Sequence, residues 1–303
     1  MKYKLSIAAI AFLAAGFATE AEVASSEEVA PSASSSAVAA ADTEWALVFP
    51  DQPDGPKLRL LAGNPREGAF SAILKVPAGY EFPLHSHPAN KTGVVLSGSI
   101  LNGRTTKDAS LSVPGTLWVQ PANEVHYTGC TADSDCIFIV HFDGAMGMVP
   151  SEVAAEVSTM SVTTAEDISY SPVNPKNPKS PGKFVVSGDM SVGAFTALIK
   201  IPGGAAVPPH SHLANYSAAV ISGSMSHGGT DTFSVGAHWT QIAEEVHTTA
   251  CVSEEDCIFF VTMDGAFSIE YADPPAEEVS VSYTHLRAHE TEADLVCRLL
   301  LEK

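Results

Sequence analysis

His85-Ser86-His87 is repeated downstream as His210-Ser211-His212. Each triplet is followed by a third histidine in a Glu-Val-His setting: His126 after Glu124 and Val125, His247 after Glu245 and Val246. On a β-strand, residues two apart face the same side, so a His-x-His pair turns both imidazoles one way. A third histidine from a remote strand completes a cap of three nitrogens on one side of a divalent ion. Such a cap leaves positions open for water, substrate or dioxygen. Imidazole suits Fe, Zn, Ni and Cu alike, and Mn is admitted, so ligand type does not choose the metal. A lone His-x-His would carry little weight. Two copies with equivalent third histidines predict two metal sites, His85, His87 and His126 in one, and His210, His212 and His247 in the other.

Glu124 and Glu245 each lie two residues before a third histidine. Either carboxylate could be a fourth ligand, a partner that orients the imidazole, or a general acid or base. A solvent-facing glutamate at a loop mouth is the alternative. His141, His227 and His238 align with Thr262, Asn102 and Leu117, and are expected at the surface or behind the ligands.

The elements that position these residues are written twice. Gly68-Ala-Phe-Ser-Ala-Ile-Leu-Lys75 matches Gly193-Ala-Phe-Thr-Ala-Leu-Ile-Lys200, and Leu96-Ser-Gly-Ser99 matches Ile221-Ser-Gly-Ser224. Asp143-Gly-Ala145 matches Asp264-Gly-Ala266. Internal repetition of this density means one module used twice. The intervening stretches are short, rich in Val, Ile, Phe and Thr, and broken by Gly, Pro, Asn or Asp. That pattern predicts an all-β fold of many short strands, a sandwich or a barrel. The expected domains are 44–150 and 166–280, with a connector at 151–165 that reads as a strand or short helix. Residues 172–181 are Pro-, Lys- and Asn-rich and are expected to be loop.

The chain has 303 residues, a net charge of -19 and only 17% charged residues. Nucleic acid and anionic membrane both need clustered Lys and Arg, so neither is an expected partner. No apolar run beyond the N-terminus is long enough to span a bilayer. Lys2 and Lys4, the apolar stretch Leu5 to Phe17 and the small residues near Ala18 to Ala24 read as a signal peptide over 1–24. That predicts a periplasmic or secreted protein with no membrane attachment after signal removal. Residues 25–43 are Ala-, Ser- and Glu-rich and read as a flexible linker. Residues 281–303 look like a translated sequencing adapter, an artefact, so Cys297, His285 and His289 carry no argument.

Cys130 and Cys136 are matched by Cys251 and Cys257. In an exported protein each Cys-x5-Cys unit reads as a disulfide across the loop between neighbouring strands. The spacing differs from the usual zinc knuckle, and a redox-active pair is the remaining alternative.

Gly79-x5-His85-x-His87-x3-Lys91-x6-Gly98 resembles the first cupin motif, and Pro121-x-Asn123-x-x-His126 the second. The second copy gives Gly204-x5-His210-x-His212-x3-Tyr216-x6-Gly223, then Ile242-x-Glu244-x-x-His247. The chain is therefore similar to a secreted bicupin, and within the cupins to a family known as a domain of unknown function. The resemblance covers roughly Glu44 to Ser280. It implies two tandem jelly-roll (double-stranded β-helix) barrels, a metal at the centre of each, and dimerisation through a barrel face. Two departures matter. Lys91 and Tyr216 stand where cupins usually carry a carboxylate. A lysine aimed at a divalent ion is repelled or must lose its proton, whereas Tyr216 can donate a hydrogen bond to a bound ligand without adding charge. Tyr216, Glu124 and Glu245 are the candidate catalytic residues.

The functional expectation is a metal-binding bicupin acting on a small polar molecule. The resemblance to three-histidine cupins makes this dioxygenase-like, with a lyase also in view. The competing expectation is a module that holds metal or a small ligand without turnover. Fold alone does not decide between them.

Overall fold

The computed structural model describes residues 35–40, 44–177, 180–229 and 231–272, which contain strands and turns and no helix. The expected signal peptide at 1–24 and the adapter-like segment at 281–303 lie outside them.

Each copy folds as a seven-stranded and a five-stranded antiparallel sheet. In the first copy the seven-stranded sheet runs, neighbour to neighbour, Ser161–Thr163, Leu117–Gln120, Lys91–Ser97, Cys136–Phe142, Phe70–Val76, Lys57–Gly63 and Ala46–Leu47. Its five-stranded sheet runs Val149–Pro150, Glu81–Ser86, His126–Cys130, Ile100–Gly103 and Ser110–Ser112. The second copy repeats this order with equivalent strands. Inward side chains of both sheets, among them Phe70, Val140 and Phe142 from one and Phe82 and Ile100 from the other, form one core per barrel.

The larger sheets are buried on both faces. Inward residues alternate with Ile73, Val94 and Ile139 of the first barrel and Leu198, Ala219 and Phe260 of the second, which pack together into a third core. Runs such as Val94-Val95 and Ile139-Val140 are therefore continuous hydrophobes rather than an alternation. The back-to-back packing joins the barrels through an apolar seam.

The seam is reinforced by an exchange of arms. Ser36–Val38 precedes the first barrel but pairs with His238–Thr240 of the second. Ser161–Thr163 precedes the second barrel but pairs with Leu117–Val119 of the first. The expected linker at 25–43 thus contains a strand, and the connector at 151–165 contains one too. The Ala/Ser composition hides the first because an added edge strand is held by its backbone, for which side chains are almost irrelevant. Arg59 of the first barrel ties down the first arm. Its guanidinium donates to the carbonyl of Ala40 and, at 2.5 Å, to that of Gly236 in the second barrel.

Candidate metal centres

The strands deliver three imidazoles to the interior of each barrel. His85 pairs directly across the sheet with His126, and His210 with His247. The ligating nitrogens of His85, His87 and His126 lie within 4.8 Å of one another and all three residues are buried; the same holds for His210, His212 and His247.

Every Nδ1 is already engaged by a backbone carbonyl. His85 Nδ1 donates to Pro83 O at 2.7 Å, His87 to Gly147 O at 2.6 Å and His126 to Glu124 O at 3.0 Å. In the second copy His210 donates to Pro208 O at 2.7 Å, His212 to Ser268 O, and His247 to Glu245 O at 3.1 Å. A carbonyl only accepts, so each ring carries its proton on Nδ1 and turns the Nε2 lone pair inward. Burial also keeps the rings neutral, holding His85 at about 4, His87 at about 2 and His247 at about 3, and lowering His126, His210 and His212. Neutral imidazole is the ligating form.

The loop before each third histidine is clamped alike. Asn90 Oδ1 accepts from Ala122 N at 2.9 Å, and its amide donates to Asp143 at 2.6 Å. Asn215 does the same with Ala243 at 2.9 Å and Asp264 at 3.0 Å. Asn123 N and Glu244 N each donate to a carbonyl, of His87 and His212, at 2.7 Å. Both residues take the left-handed conformation, with φ of 62° and 68°. The loss of Pro and Asn from the second copy's motif therefore leaves the loop geometry intact, at the expense of a strained Glu244. The matched Asn90/Asn215 and Asp143/Asp264 were visible in the repeat, but nothing in the sequence showed that they touch.

The glutamates require a correction. Glu124 and Glu245 do orient the third histidines, but through their backbone carbonyls. The Glu124 carboxylate accepts from Ser158 Oγ at 2.7 Å, Thr159 N at 2.9 Å and Gln120 Nε2 at 3.2 Å, so it fastens the connector to the barrel. Burial raises its pKa, but these bonds outweigh that and hold it below the usual value. Glu245 is exposed. Neither carboxylate joins a histidine cluster, because the strand begins only at the histidine and the preceding residues still follow the loop.

The two centres differ in their fourth group. Lys91 is buried, and its Nζ lies 3.2 Å from His87 Nε2 and 3.4 Å from His126 Nε2. The amine therefore hydrogen-bonds two of the three lone pairs a metal would need, so a divalent ion on this cluster would have to displace it. Burial brings the Lys91 amine down to about 7. In the second copy the Tyr216 hydroxyl stands 3.1 Å from His247 Nε2, and burial raises its pKa, keeping it a neutral phenol. His210 and His212 keep free lone pairs, and a divalent ion on this cluster would have to displace only the Tyr216 hydroxyl from His247. His227, expected at the surface or behind the ligands, proves to be buried behind them. Its ring lies 4.8 Å from that of His247 and 4.7 Å from that of Trp239, and it is bonded to Thr249 and Gln241. His238 is buried as well, and His141 is half-buried against Ser71. A cavity of about 320 Å³ reaches His210, His212 and Tyr216.

The sequence matches the ChrR cupin-like domain twice, over residues 34–145 and 160–266. The chain belongs to the ChrR cupin-like family. Both matches contain one complete histidine cluster, and the first begins at the exchanged arm. This cupin-like chain is also similar in fold to a crystal structure of a putative dioxygenase from Nostoc punctiforme, with 13% identity and a TM-score of 0.64. That alignment covers 80% of this chain and 87% of the other. An oxalate decarboxylase from Lactobacillus farciminis, solved with formate, aligns with 11% identity and a TM-score of 0.52 over 78% of this chain and 88% of the other. At these identities the likeness is one of fold. No curated protein matches this cupin-like chain.

Proposed function

We propose that this chain is an exported metal-binding bicupin whose second barrel holds a divalent transition metal on His210, His212 and His247 and acts, in the manner of a dioxygenase, on a small molecule. The reading rests on three imidazoles whose Nδ1 atoms are held by backbone carbonyls and whose Nε2 atoms turn inward, beside a cavity that reaches His210 and His212. When bound, the metal would supply Lewis acidity, and dioxygen chemistry if it is iron or copper. The chain's own residues hold it, fix the imidazoles and exclude water through apolar walls. Tyr216, kept protonated, donates a hydrogen bond to a bound ligand. The two disulfides, Cys130–Cys136 and Cys251–Cys257, support an oxidising compartment.

A non-catalytic binding module is favoured by one observation, the absence of any carboxylate among the described residues that line the cavity. Metal analysis of purified protein, followed by dioxygen uptake with small thiols, diketones and hydroxy acids, separates the two. Bound metal with uptake supports the enzyme, and bound metal without uptake supports the binding module. Failure to retain any transition metal after reconstitution sinks both.

A further inference from the structure

The two barrels are filled differently at equivalent positions. Phe82 and Val207 occupy the same place, opposite Thr128 and Thr249. Tyr80 and Ala205 do too, since their carbonyls accept from Cys130 N and Cys251 N. Phe49 and Asn174 follow residues whose amides close the same loop, Val48 N to Pro56 O and Val173 N to Pro181 O. In the first barrel the rings of Tyr80 and Phe82 meet at 5.0 Å, those of Phe49 and Phe82 at 6.4 Å, and Phe82 lies 5.9 Å from His85. Aromatic rings and Lys91 thus fill the space beside the first cluster. The second barrel has Asn174, Ala205 and Val207 there, and the space beside its cluster is open.

That cavity is walled by apolar side chains, including Ile199, Val207, Phe259, Phe267 and Ile269. Among the described residues its lining contains no Lys, Arg, Asp or Glu. A second charge on a ligand, away from the histidine cluster, would be desolvated without a partner. An apolar cavity of about 150 Å³ holds a benzene ring, so about 320 Å³ has room for a substituted ring.

We propose that the second barrel takes an amphipathic small molecule, an apolar body of about one aromatic ring that carries a single metal-chelating oxygen pair and no further charge. The chelating half of this assignment rests on the metal reading above. The apolar half rests on the cavity alone. Together they narrow the expected small polar substrate, and they disfavour compact dianions such as oxalate.

Calorimetric binding tests both halves. Metal-loaded protein should bind 4-methylcatechol at least about tenfold more tightly than oxalate, the gain expected from burying a ring. Metal-free protein should bind toluene. Val207→Phe and Ala205→Tyr, which copy the filled barrel, should each weaken toluene and 4-methylcatechol about tenfold or more while the metal content is unchanged. Oxalate binding as tightly as 4-methylcatechol overturns the proposal, and so does full ring binding in both folded variants. If either variant does not fold, the selectivity of the unaltered protein decides alone. Absence of metal with intact toluene binding defeats the metal reading and keeps the apolar cavity; absence of toluene binding defeats the cavity.

Discussion

Lys91 and Tyr216 occupy one register position in the two barrels. Lys91 lies between Phe142 and Gln120, and Tyr216 between Met263 and Gln241. Each points its terminal polar atom at the third histidine of its cluster. One group is a basic amine and the other a neutral phenol, and that difference makes the two histidine clusters unequal.

The expected metal content is one ion per chain. His210→Ala and His212→Ala should each abolish it, because two nitrogens cannot replace three. Lys91→Met, which removes the amine from the first cluster, should raise the content from one ion to two. Inductively coupled plasma analysis of the dialysed proteins reads this directly, and two ions in the unaltered chain would show that Lys91 moves aside.

Stability of the metal-free protein should rise with pH. Burial holds His85, His227 and His238 at about 4, against about 6.5 when unfolded. Between those values the unfolded chain binds the extra protons, so this contribution is present above about pH 6.5 and is lost as the pH falls through about 4. Lys91, lowered to about 7, extends the rise above neutrality in the same direction. Urea unfolding from pH 4 to pH 9 measures the slope, and a flat profile would contradict the buried neutral rings.

Glu244→Asn should stabilise the fold by about 1 kcal/mol. The φ of 68° is strained for glutamate and tolerated by asparagine, the residue at the equivalent position 123. The same change should leave the His247 site and its metal intact. A denaturation midpoint unchanged or lower in Glu244→Asn would show that the backbone relaxes.

Removing residues 1–40 should destabilise the second barrel although its own sequence is untouched. The truncation uncovers the edge strand His238–Gln241 and takes the Ala40 carbonyl from the Arg59 guanidinium. The loss of this one charge-assisted hydrogen bond, with the bond to the Gly236 carbonyl kept, costs about 1 kcal/mol. Chemical denaturation of the full and truncated chains gives the difference.

Reduction of each disulfide should lower stability by about 2 kcal/mol, since each closes a short loop with a sequence separation of 6. Melting with and without a reductant, alongside a Cys130→Ala/Cys136→Ala variant, would register the change. An unaltered melting temperature would mean the strand pairing alone holds these loops.

The repetition of His-Ser-His, the third histidines and the paired cysteines were legible in the sequence, because ligand spacing and strand alternation are local. So were the barrel class and the two copies. The role of Glu124 was not legible. Its position two residues before His126 suggested an inward carboxylate, but the strand starts only at His126, and the carboxylate turns to Ser158 and Thr159. The arm at Ser36–Val38 was hidden as well, since edge pairing is backbone chemistry that leaves almost no side-chain signature. The sequence by itself determined which atoms could bind a metal and that they occur twice. Only the tertiary structure decided how the two sets differ, because whether Lys91 reaches the imidazoles and whether Phe82 or Val207 fills the space beside them depends on contacts between strands far apart in the chain.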